Sequence, residues 1–326
     1  MAGEFEVIAR YFAPLAARAP GAAGLRDDGA VFEPTPGRDL VMSVDAMVAG
    51  VHFRPDDPPE TVGRKLLRVN LSDLAAMGAA PRGYLLAAAF GGKIDEAWIA
   101  AFARGLARDQ EIFHIDLYGG DTVATPGAPT FSLTAFGEVE PGRVLRRSGA
   151  RGGDAVYVSG TIGDGALGLK ALSGALPGAD EAARAALAAR YQLPEPRVAL
   201  GLALGERGLA SAAIDISDGL VADLGHIART SGLGAVVDAA AVPTSAAAAR
   251  VLAHEPELRQ AILTGGDDYE LLFTADPSVA TELLELSEYL DLALTRIGSM
   301  EPGRGVRVVD AAGREVSLSN GGWTHF

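Results

Sequence analysis

Short apolar segments that suit β-strands alternate with longer amphipathic segments that suit helices, and this alternation restricts the fold more than any other feature. In the first half, helices are expected at about residues 59–78 and 95–114, after an amphipathic segment at 4–18. The expected strands of this half are Leu40–Val44, Tyr84–Phe90, Asp116–Tyr118 and Thr130–Phe136. Because all-helical and all-strand proteins each lack one of the two patterns, we expect the α/β (α+β) class.

The second half repeats the alternation and is expected to form its own domain. Its expected elements are a strand at Ala155–Ser159, helices after Gly165, near 179–191 and at Asp218–Ser231, a strand at Leu271–Thr274 and short C-terminal strands. A chain of 326 residues suits two domains of roughly 150 residues each. The segment Pro141–Asp154 is rich in Gly and Arg and has no periodicity, so we place the boundary near 150, between domains at 1–150 and 151–326.

The composition excludes several classes of protein. The 42 acidic residues outnumber the 28 basic residues and give a formal charge of −14, which opposes binding to nucleic acid. The chain has no cysteine, which excludes disulfides, thiolate catalysis and zinc sites built from cysteine. No apolar run approaches the ~20 residues that span a bilayer, and the N-terminus does not resemble a signal peptide. We therefore expect a cytoplasmic protein that binds neither nucleic acid nor a membrane.

Aspartates follow three of the apolar segments. These are Asp45, Asp121 and Asp215. Each is expected where a buried strand ends, which is the edge of an α/β sheet where ligands collect. Their short carboxylates suit Mg²⁺, which binds one or two carboxylates together with waters and substrate phosphates. The alternative is that any one of them only forms a turn or caps a helix.

Other aspartates are notable for their position in predicted helices. Asp73 lies on the same helical stripe as Val62 and Leu66, so its carboxylate must be protonated, paired or bound to a metal. Asp215 and Asp218 are three residues apart at a helix start, and this spacing places both carboxylates on one face. Asp218 could instead cap that helix, because carboxylates are favoured at a helix N-terminus.

Glycine-rich segments form a second group of candidate binding elements. They are Gly119–Thr122, Gly160–Gly165 and Gly265–Glu270, which we interpret as turns. Backbone amides in such turns can bind phosphate, and the Gly160–Gly165 turn both follows a strand and opens a helix. The chain has no G-x-x-x-x-G-K-[ST] motif and no protein-kinase signature, so any use of ATP requires another architecture.

Seven motifs together resemble those of one known family. They are V-D-A-M-V-A-G-V-H-F (44–53), V-N-L-S-D-L-A-A-M-G (69–78), G-G-D-T (119–122), R-S-G-A (147–150), I-D-I-S-D-G-L (214–220), G-G-D-D-Y-E-L (265–271) and G-W-T-H-F (322–326). In order and spacing they resemble the thiamine-phosphate kinase family of the aminoimidazole ribonucleotide synthetase superfamily, from end to end of the chain. The family usually has Gly where Arg26 stands, and often Glu where Asp267 stands.

The resemblance implies a fold and an activity. It implies two mixed α/β domains of the aminoimidazole ribonucleotide synthetase type, an active site between them, and an N-terminal sheet that pairs with its twin in a homodimer. It implies that ATP and Mg²⁺ serve to phosphorylate thiamine monophosphate to thiamine diphosphate. No residue is expected to act as a nucleophile, since several Mg²⁺ ions can neutralise the phosphates and the acceptor is already ionised.

The resemblance also implies site residues. The metal ligands would be Asp28, Ser43, Val44 through its backbone carbonyl, Asp45, Asp73, Asp121, Asp215 and Asp218. ATP would contact Gly120, Asp121, Arg147 and Ser217, and thiamine monophosphate would contact His52, Asp267 and Trp323. By residue type alone, His52 could be a structural histidine, Arg147 a surface charge and Trp323 a packing residue.

Two alternatives to this activity stay open from the sequence. One is another ATP-dependent synthetase of the same superfamily, although the absence of cysteine argues against a selenophosphate synthetase. The other is a non-catalytic protein that binds nucleotide or thiamine phosphate, although such a protein would not need a carboxylate at every metal position.

Overall fold

The computed structural model describes residues 3–92, 94–176, 178–318 and 322, and these divide into two compact units. Unit 1 contains the described residues up to Leu74 together with Ala79–Gly142, and unit 2 contains Ala75–Gly78 together with the described residues from Arg143. The expected α/β class is confirmed, because each unit combines helices with one mixed sheet. The assignment of a metal- and ATP-binding domain to 1–150 and of a completing domain to 151–326 stays a prediction.

The N-terminal segment of unit 1 is helical but is not the regular helix expected at 4–18. It begins as the α-helix α1 (Glu4–Val7), continues as a π-helix (Ile8–Phe12) and ends as a 3₁₀-helix (Ala13–Ala16). Pro14 has no N–H to bond the preceding turn, which favours the tighter 3₁₀ geometry at this point. A second 3₁₀ segment follows at Pro20–Leu25.

Unit 1 is built on a four-stranded sheet with two long helices. Its strands are β1 (Asp39–Val48), β2 (Ala80–Gly91), β3 (Asp116–Thr125) and β4 (Thr130–Val139), in the order β1-β4-β2-β3. The helices are α2 (Pro59–Ala76) and α3 (Glu96–Phe113). Strands β2 and β3 are parallel and are joined through α3, whereas β4 is antiparallel to both of its neighbours.

The two faces of this sheet have different surroundings. On the inner face, Phe131 of β4 stacks on Trp98 and Phe102 of α3, with ring centroids 5.8 and 4.8 Å apart. On the outer face, Met42 and Val44 of β1 are 67% and 60% exposed. On β1 this face is therefore apolar and exposed, an arrangement that commonly marks an interaction surface.

Helix α2 is buried on all sides, which differs from the single apolar stripe expected for it. Val62 and Leu66 are buried as expected, but Arg64 and Arg68 are buried as well. Both guanidinium groups bind the carboxylate of Asp109 on α3, with nitrogen–oxygen distances of 2.9 and 2.6 Å. This ion cluster holds the two long helices of unit 1 together.

Two strand ends in unit 1 were predicted wrongly. Strands β1 and β3 run on past Val44 and Tyr118, so Asp45 and Asp121 lie inside strands and not at their ends. The segment Gly119–Thr122 is strand and not a turn. A Cβ at Gly120 would lie 1.9 Å from the Leu86 carbonyl oxygen, so glycine here permits close approach of two strands.

Unit 2 is built on a six-stranded sheet. Its strands are β5 (Ala155–Ser159), β6 (Ala212–Asp215), β7 (Gly234–Asp238), β8 (Leu271–Ala275), β9 (Leu294–Glu301) and β10 (Gly305–Val309), in the order β10-β7-β9-β5-β8-β6. Its helices are α4 (Asp164–Leu172), α5 (Glu181–Gln192), α6 (Val198–Arg207), α7 (Leu220–Ser231), α8 (Ala246–His254), α9 (Arg259–Thr264) and α10 (Ala280–Leu290). Short 3₁₀ segments lie at Pro256–Leu258 and Pro277–Val279.

Both faces of the unit 2 sheet are buried. Val156 and Val158 of β5 belong to one apolar cluster, and Tyr157 between them belongs to another. Because successive side chains of a strand point to opposite faces, both faces must be covered by helices. No helix in the described ranges combines the length and the apolar character needed to cross a membrane.

Candidate active site

Two predicted metal ligands of unit 1 are in direct contact. The hydroxyl of Ser43 on β1 lies 2.5 Å from a carboxylate oxygen of Asp73 on α2. One helical turn earlier, the side-chain oxygen of Asn70 accepts a hydrogen bond from the Asp45 N–H at 3.0 Å. Helix α2 is thus fixed to β1 at Ser43 and Asp45, two of the three β1 residues predicted to bind metal.

Three other predicted residues line one cavity of unit 1, with a volume of about 110 Å³. Its acidic and backbone part includes Asp28, Gly120 and Asp121. Its apolar part includes Phe12 and Leu117. A cavity with an apolar wall beside three carboxylates, those of Asp27, Asp28 and Asp121, suits a ligand that joins an aromatic ring to metal-bound phosphates.

His52 lies in the tight turn that follows β1. Its ring Nδ1 accepts a hydrogen bond from the Val48 N–H at 3.1 Å, and its carbonyl oxygen accepts one from Lys65 Nζ, also at 3.1 Å. The ring therefore carries its proton on Nε2 when neutral. His52 thus has a structural hydrogen bond through Nδ1, and its contact with substrate stays a prediction.

In unit 2, three predicted residues lie at the end of β6 and in the loop that leads to α7, namely Asp215, Ser217 and Asp218. The carboxylate of Asp223, one turn into α7, accepts hydrogen bonds from the N–H groups of Ser217, Asp218 and Gly219, each at 3.1 Å. Burial raises the pKa of Asp223 to about 7 against the opposing effect of these three bonds. Asp223 therefore binds the three amides that precede the first turn of α7, the N-cap position is Gly219 without a side-chain cap, and no described group donates a hydrogen bond to the Asp218 carboxylate.

The turn between β5 and α4 is also closed by an internal carboxylate. Asp268 accepts hydrogen bonds from the N–H groups of Gly163 and Gly165 at 2.7 and 2.9 Å. Burial raises the pKa of Asp268 to about 8, and the nearby negative charges of Asp164 and Glu270 act in the same direction. Two amides that could have bound phosphate in the Gly160–Gly165 turn are thus already occupied.

The segment Gly265–Glu270 joins these loops. The Asp267 N–H donates to the Ser217 carbonyl oxygen at 3.0 Å, and the Tyr269 N–H donates to the Ile216 carbonyl oxygen at 2.8 Å. A Cβ at Gly266 would lie 2.0 Å from the Ser217 carbonyl oxygen, so only glycine permits this contact. The predicted substrate residue Asp267 is therefore adjacent to the predicted ATP residue Ser217.

Glu270 anchors the end of the same segment. It is completely buried, and its carboxylate is bonded by Arg197 Nε at 2.6 Å, by Arg190 at 3.0 Å and by the Ser159 hydroxyl at 2.6 Å. The negative charge of Glu270 in turn raises the pKa of Arg197, against the opposing effect of burial. Two cations on one buried carboxylate fix the point at which the segment enters β8.

Arg147 lies beside the C-terminal half of α7. Its carbonyl oxygen accepts a hydrogen bond from the Thr230 hydroxyl at 2.8 Å, and its side chain is exposed. On the same helix, Nδ1 of His226 lies 2.6 Å from an Arg229 nitrogen. Burial lowers the pKa of His226, and the positive charges of Arg229 and Arg147 lower it further. This local positive potential suits contact with a phosphate group.

Trp323 lies outside the described residues, but its neighbour Gly322 is described. A Cβ at Gly322 would lie 2.4 Å from the Ala222 Cβ and 3.0 Å from the Asp218 carbonyl oxygen. With φ at +150°, Gly322 also has a backbone conformation that other residues rarely adopt. The chain immediately before Trp323 therefore lies against the Asp218 loop.

The carboxylates fit Mg²⁺ only in part. No group of three or more Asp, Glu or His side chains within the described ranges is close enough to hold an ion by itself. Mg²⁺ typically takes one or two carboxylates and completes its shell with water and substrate phosphates. The Asp73–Ser43 contact and the Asp215–Asp218 loop are donor sets of that kind.

Comparison with known proteins assigns the family. The family described as "AIR synthase related protein, N-terminal domain" matches residues 26–139, and its C-terminal domain counterpart matches residues 151–311. The thiamine-monophosphate kinase of Caulobacter vibrioides is 45% identical over 99% of this chain and 90% of its own length. The chain belongs to the thiamine-monophosphate kinase family. The resemblance stated from the motifs is therefore confirmed.

Solved structures of thiamine-monophosphate kinases share the fold. That of the enzyme from Stenotrophomonas maltophilia matches with a TM-score of 0.84 and 43% identity, covering 94% of this chain and 96% of the other. The structure of AaThiL complexed with AMPPCP and TMP matches with a TM-score of 0.79 and 32% identity, covering 99% and 97%. The expected pair of aminoimidazole ribonucleotide synthetase-type domains is confirmed.

The sequence motifs of the thiamine-monophosphate kinase family did not identify the residues whose side chains hold the loops of unit 2 in place. These residues are Asp223, Asp268, Glu270, Arg190 and Arg197. Asp268 and Glu270 stand inside the G-G-D-D-Y-E-L motif, so their presence was visible but their roles were not. Their partners come from distant segments, and no local spacing signals such contacts.

Proposed function

We propose that this chain transfers the γ-phosphoryl group of ATP to thiamine monophosphate and forms thiamine diphosphate and ADP. In this reaction the bond between the γ-phosphorus and the bridging oxygen of ADP breaks, and a bond to an oxygen of the acceptor phosphate forms. The observation that carries the proposal is the similarity, over 99% of this chain, to AaThiL complexed with AMPPCP and TMP. An ATP analogue and the acceptor are the two ligands that such a transfer requires.

We assign Mg²⁺ binding to a set of residues in each unit. The unit 1 set is Asp28, Ser43, the Val44 carbonyl, Asp45, Asp73 and Asp121, and the unit 2 set is Asp215 and Asp218. When bound, Mg²⁺ would offset the charge of the phosphates, which otherwise repel one another. The Ser43–Asp73 contact and the unbonded carboxylate of Asp218 in the described chain support this assignment.

The remaining site residues would bind and orient the two substrates. ATP would contact Gly120 and Asp121 at the unit 1 cavity, and Arg147 and Ser217 in unit 2. Thiamine monophosphate would contact His52, Asp267 and Trp323. Because the acceptor phosphate is already ionised, direct transfer needs no protein nucleophile and little general-base help.

A coupled assay tests the activity. Purified protein with ATP, Mg²⁺ and thiamine monophosphate should release ADP and thiamine diphosphate, and EDTA should stop the reaction. Thiamine without its phosphate is the control acceptor and should react poorly. Turnover with aminoimidazole-pathway substrates instead would assign the chain to another synthetase, and nucleotide binding without turnover would make it a binding protein. A cytoplasmic location stays a prediction.

We also propose that the outer face of the unit 1 sheet pairs with a second copy of the chain. Met42, Val44, Leu85 and Val123 are large apolar residues exposed on β1, β2 and β3. An apolar surface spread over neighbouring strands is costly to leave in water and is self-complementary in a two-fold dimer. This contact would produce the homodimer expected for the family.

Replacing Met42 with Glu should weaken that dimer. A carboxylate buried at the contact would cost several kcal/mol, which corresponds to a rise of ~10²-fold or more in the dissociation constant. Sedimentation equilibrium measures this change. The control is Leu284→Glu, because Leu284 is similarly exposed on α10 of unit 2. A dimer that is equally stable in both variants would place the contact elsewhere.

Replacing Trp323 with Ala should raise the KM for thiamine monophosphate by several-fold to ~30-fold and leave the KM for ATP unchanged. An indole face can stack on the pyrimidine and attract the cationic thiazolium, a cation–π contact worth ~0.5–2 kcal/mol. The position of Gly322 against the Asp218 loop supports this role. Steady-state kinetics with each substrate varied in turn provides the measurement.

The control for this variant is Tyr289→Ala, which removes an exposed aromatic residue from α10. It should change neither Michaelis constant. If Trp323→Ala lowers the melting temperature strongly and leaves both Michaelis constants unchanged, Trp323 is a packing residue and not a substrate contact.

A further inference from the structure

The backbone of the Asp218 loop is held by a single side-chain oxygen. Oδ2 of Asp223 accepts all three hydrogen bonds from Ser217, Asp218 and Gly219, and Asp223 is only 2% exposed. Consecutive amides that converge on one point at a helix start form a typical anion-binding site. Here that site is filled by a carboxylate of the same helix, so these amides are not available for a substrate phosphate.

In this arrangement one aspartate holds the loop backbone, and other aspartates are left to present their carboxylates. An aspartate that precedes a helix commonly turns its carboxylate back to cap the N-terminal amides. Here the N-cap position is Gly219, which makes no side-chain cap, and Asp223 bonds the three amides that precede the helix. The carboxylate of Asp218 is therefore not needed to hold its own loop. Asp215 is the last residue of β6 and lies three residues before Asp218 in the chain, where the same loop begins.

The other side of the loop is fixed as well. The Ser217 carbonyl oxygen accepts the Asp267 N–H, and the Ile216 carbonyl oxygen accepts the Tyr269 N–H. The N–H groups from Ser217 to Gly219 are bonded to Asp223, and the carbonyl groups of Ile216 and Ser217 are bonded to the Gly265–Glu270 segment. Of these two attachments, only the one through Asp223 depends on a single side chain.

We infer that Asp223 is a positioning residue, which fixes the backbone of Ser217–Gly219 so that the carboxylates of Asp215 and Asp218 are directed at a divalent cation. This inference rests on the proposed assignment of Asp215 and Asp218 as metal ligands. Asp223 itself does not touch the cation or the substrates. Its contribution comes from the acceptor oxygen and not from its charge.

The hydrogen-bond pattern provides a matched pair of variants. One oxygen makes all three bonds, so the amide oxygen of Asp223→Asn can make them too, and that variant keeps the positioning while it loses the charge. Asp223→Ala removes the acceptor. Asp218→Asn removes a proposed ligand directly. Asp180→Ala removes an ordinary helix cap elsewhere in unit 2, where Asp180 accepts the Ala183 N–H at the start of α5.

The experiment measures Mn²⁺ affinity by electron paramagnetic resonance in the presence of a non-hydrolysable ATP analogue, with melting temperature recorded for every variant. Loss of a group that orients a metal ligand typically lowers metal affinity ~10–100-fold. We expect Asp223→Ala to weaken Mn²⁺ binding by ~10-fold or more, in the direction of Asp218→Asn. Asp223→Asn should stay within ~3-fold of the unchanged protein, and Asp180→Ala should lower only the melting temperature.

The outcomes are distinguishable from those of the activity assay. If Asp223→Asn weakens Mn²⁺ binding as much as Asp218→Asn, the charge of Asp223 matters and the positioning role is overturned. It is also overturned if Asp223→Ala folds and binds Mn²⁺ normally. If Asp223→Ala does not fold, the Mn²⁺ affinities of Asp223→Asn and Asp218→Asn still test whether the charge of Asp223 matters. Unchanged protein that binds no Mn²⁺ overturns the inference, whereas protein that binds Mn²⁺ without phosphorylating thiamine monophosphate overturns only the proposed function.

Discussion

Replacing Asp218 with Asn is expected to lower kcat/KM for thiamine monophosphate by at least ~10²-fold, equivalent to a loss of ~2.7 kcal/mol in transition-state stabilisation. The variant should fold normally. The loop is held by Asp223 and by the Gly265–Glu270 segment, and neither attachment uses the Asp218 side chain. The amide has the size of the carboxylate but lacks its charge. Steady-state kinetics over a range of Mg²⁺ concentrations tests this expectation.

The matched control is Asp291→Asn, which makes the same chemical change at the end of α10. Asp291 has φ at +48°, a conformation that Asn tolerates, and no described residue pairs with its side chain. This control should keep full activity. Near-normal turnover of Asp218→Asn at limiting Mg²⁺ would remove Asp218 from the metal site.

Replacing Asp109 with Ala is expected to lower the free energy of unfolding by ~3–5 kcal/mol, because removal of one partner leaves buried charges without compensation. Asp109 is completely buried, and it binds Arg64 and Arg68, whose side chains are only 10% and 6% exposed. Urea denaturation followed by circular dichroism measures the effect. Activity per folded molecule should change much less, since none of these residues belongs to the proposed site.

An exposed ion pair provides the comparison. Glu301 pairs with Arg307 at 2.9 Å on the surface of unit 2, where the two side chains are 33% and 48% exposed. Glu301→Ala should change the stability by less than ~1 kcal/mol, because water screens such pairs. Equal losses in the two variants would show that the Asp109 cluster is no more important than a surface contact.

Periodicity predicted most elements of the fold. The best-predicted elements were those with both an apolar run and turn residues at each end. The strand Ala155–Ser159 was predicted with its observed bounds, since it is a short apolar run between turn residues. The helix Val198–Arg207 was missed although Leu200 and Leu204 have helical spacing, so its signal was present and was not used. Strand β3 was shortened because Gly119–Gly120 resembles a turn, whereas close packing against Leu86 requires glycine inside the strand.

For the site, the motifs predicted which residues to consider but not how they contact one another. The resemblance named Ser43 and Asp73 as metal ligands, Ser217 as an ATP contact and Asp267 as a substrate contact, without saying which of them are neighbours. The structure brings Ser43 against Asp73 and the backbone of Asp267 against that of Ser217. The metal, ATP and substrate roles of the individual residues stay predictions. Asp223 could not be identified from its position in α7, because a carboxylate one turn into a helix is common and only the folded loop shows which amides it bonds.

The internal hydrogen bonds of the Asp218 loop and of the Gly160–Gly165 turn have a consequence for the thermodynamics of ligand binding. The amides of Ser217, Asp218, Gly219, Gly163 and Gly165 are bonded within the protein, so these loops lose their conformational entropy on folding and not on nucleotide binding. We expect these five amides to exchange slowly with solvent before any ligand is added. Nucleotide association should then be limited by encounter and by cation binding, because neither of these two loops has to fold around the incoming phosphates.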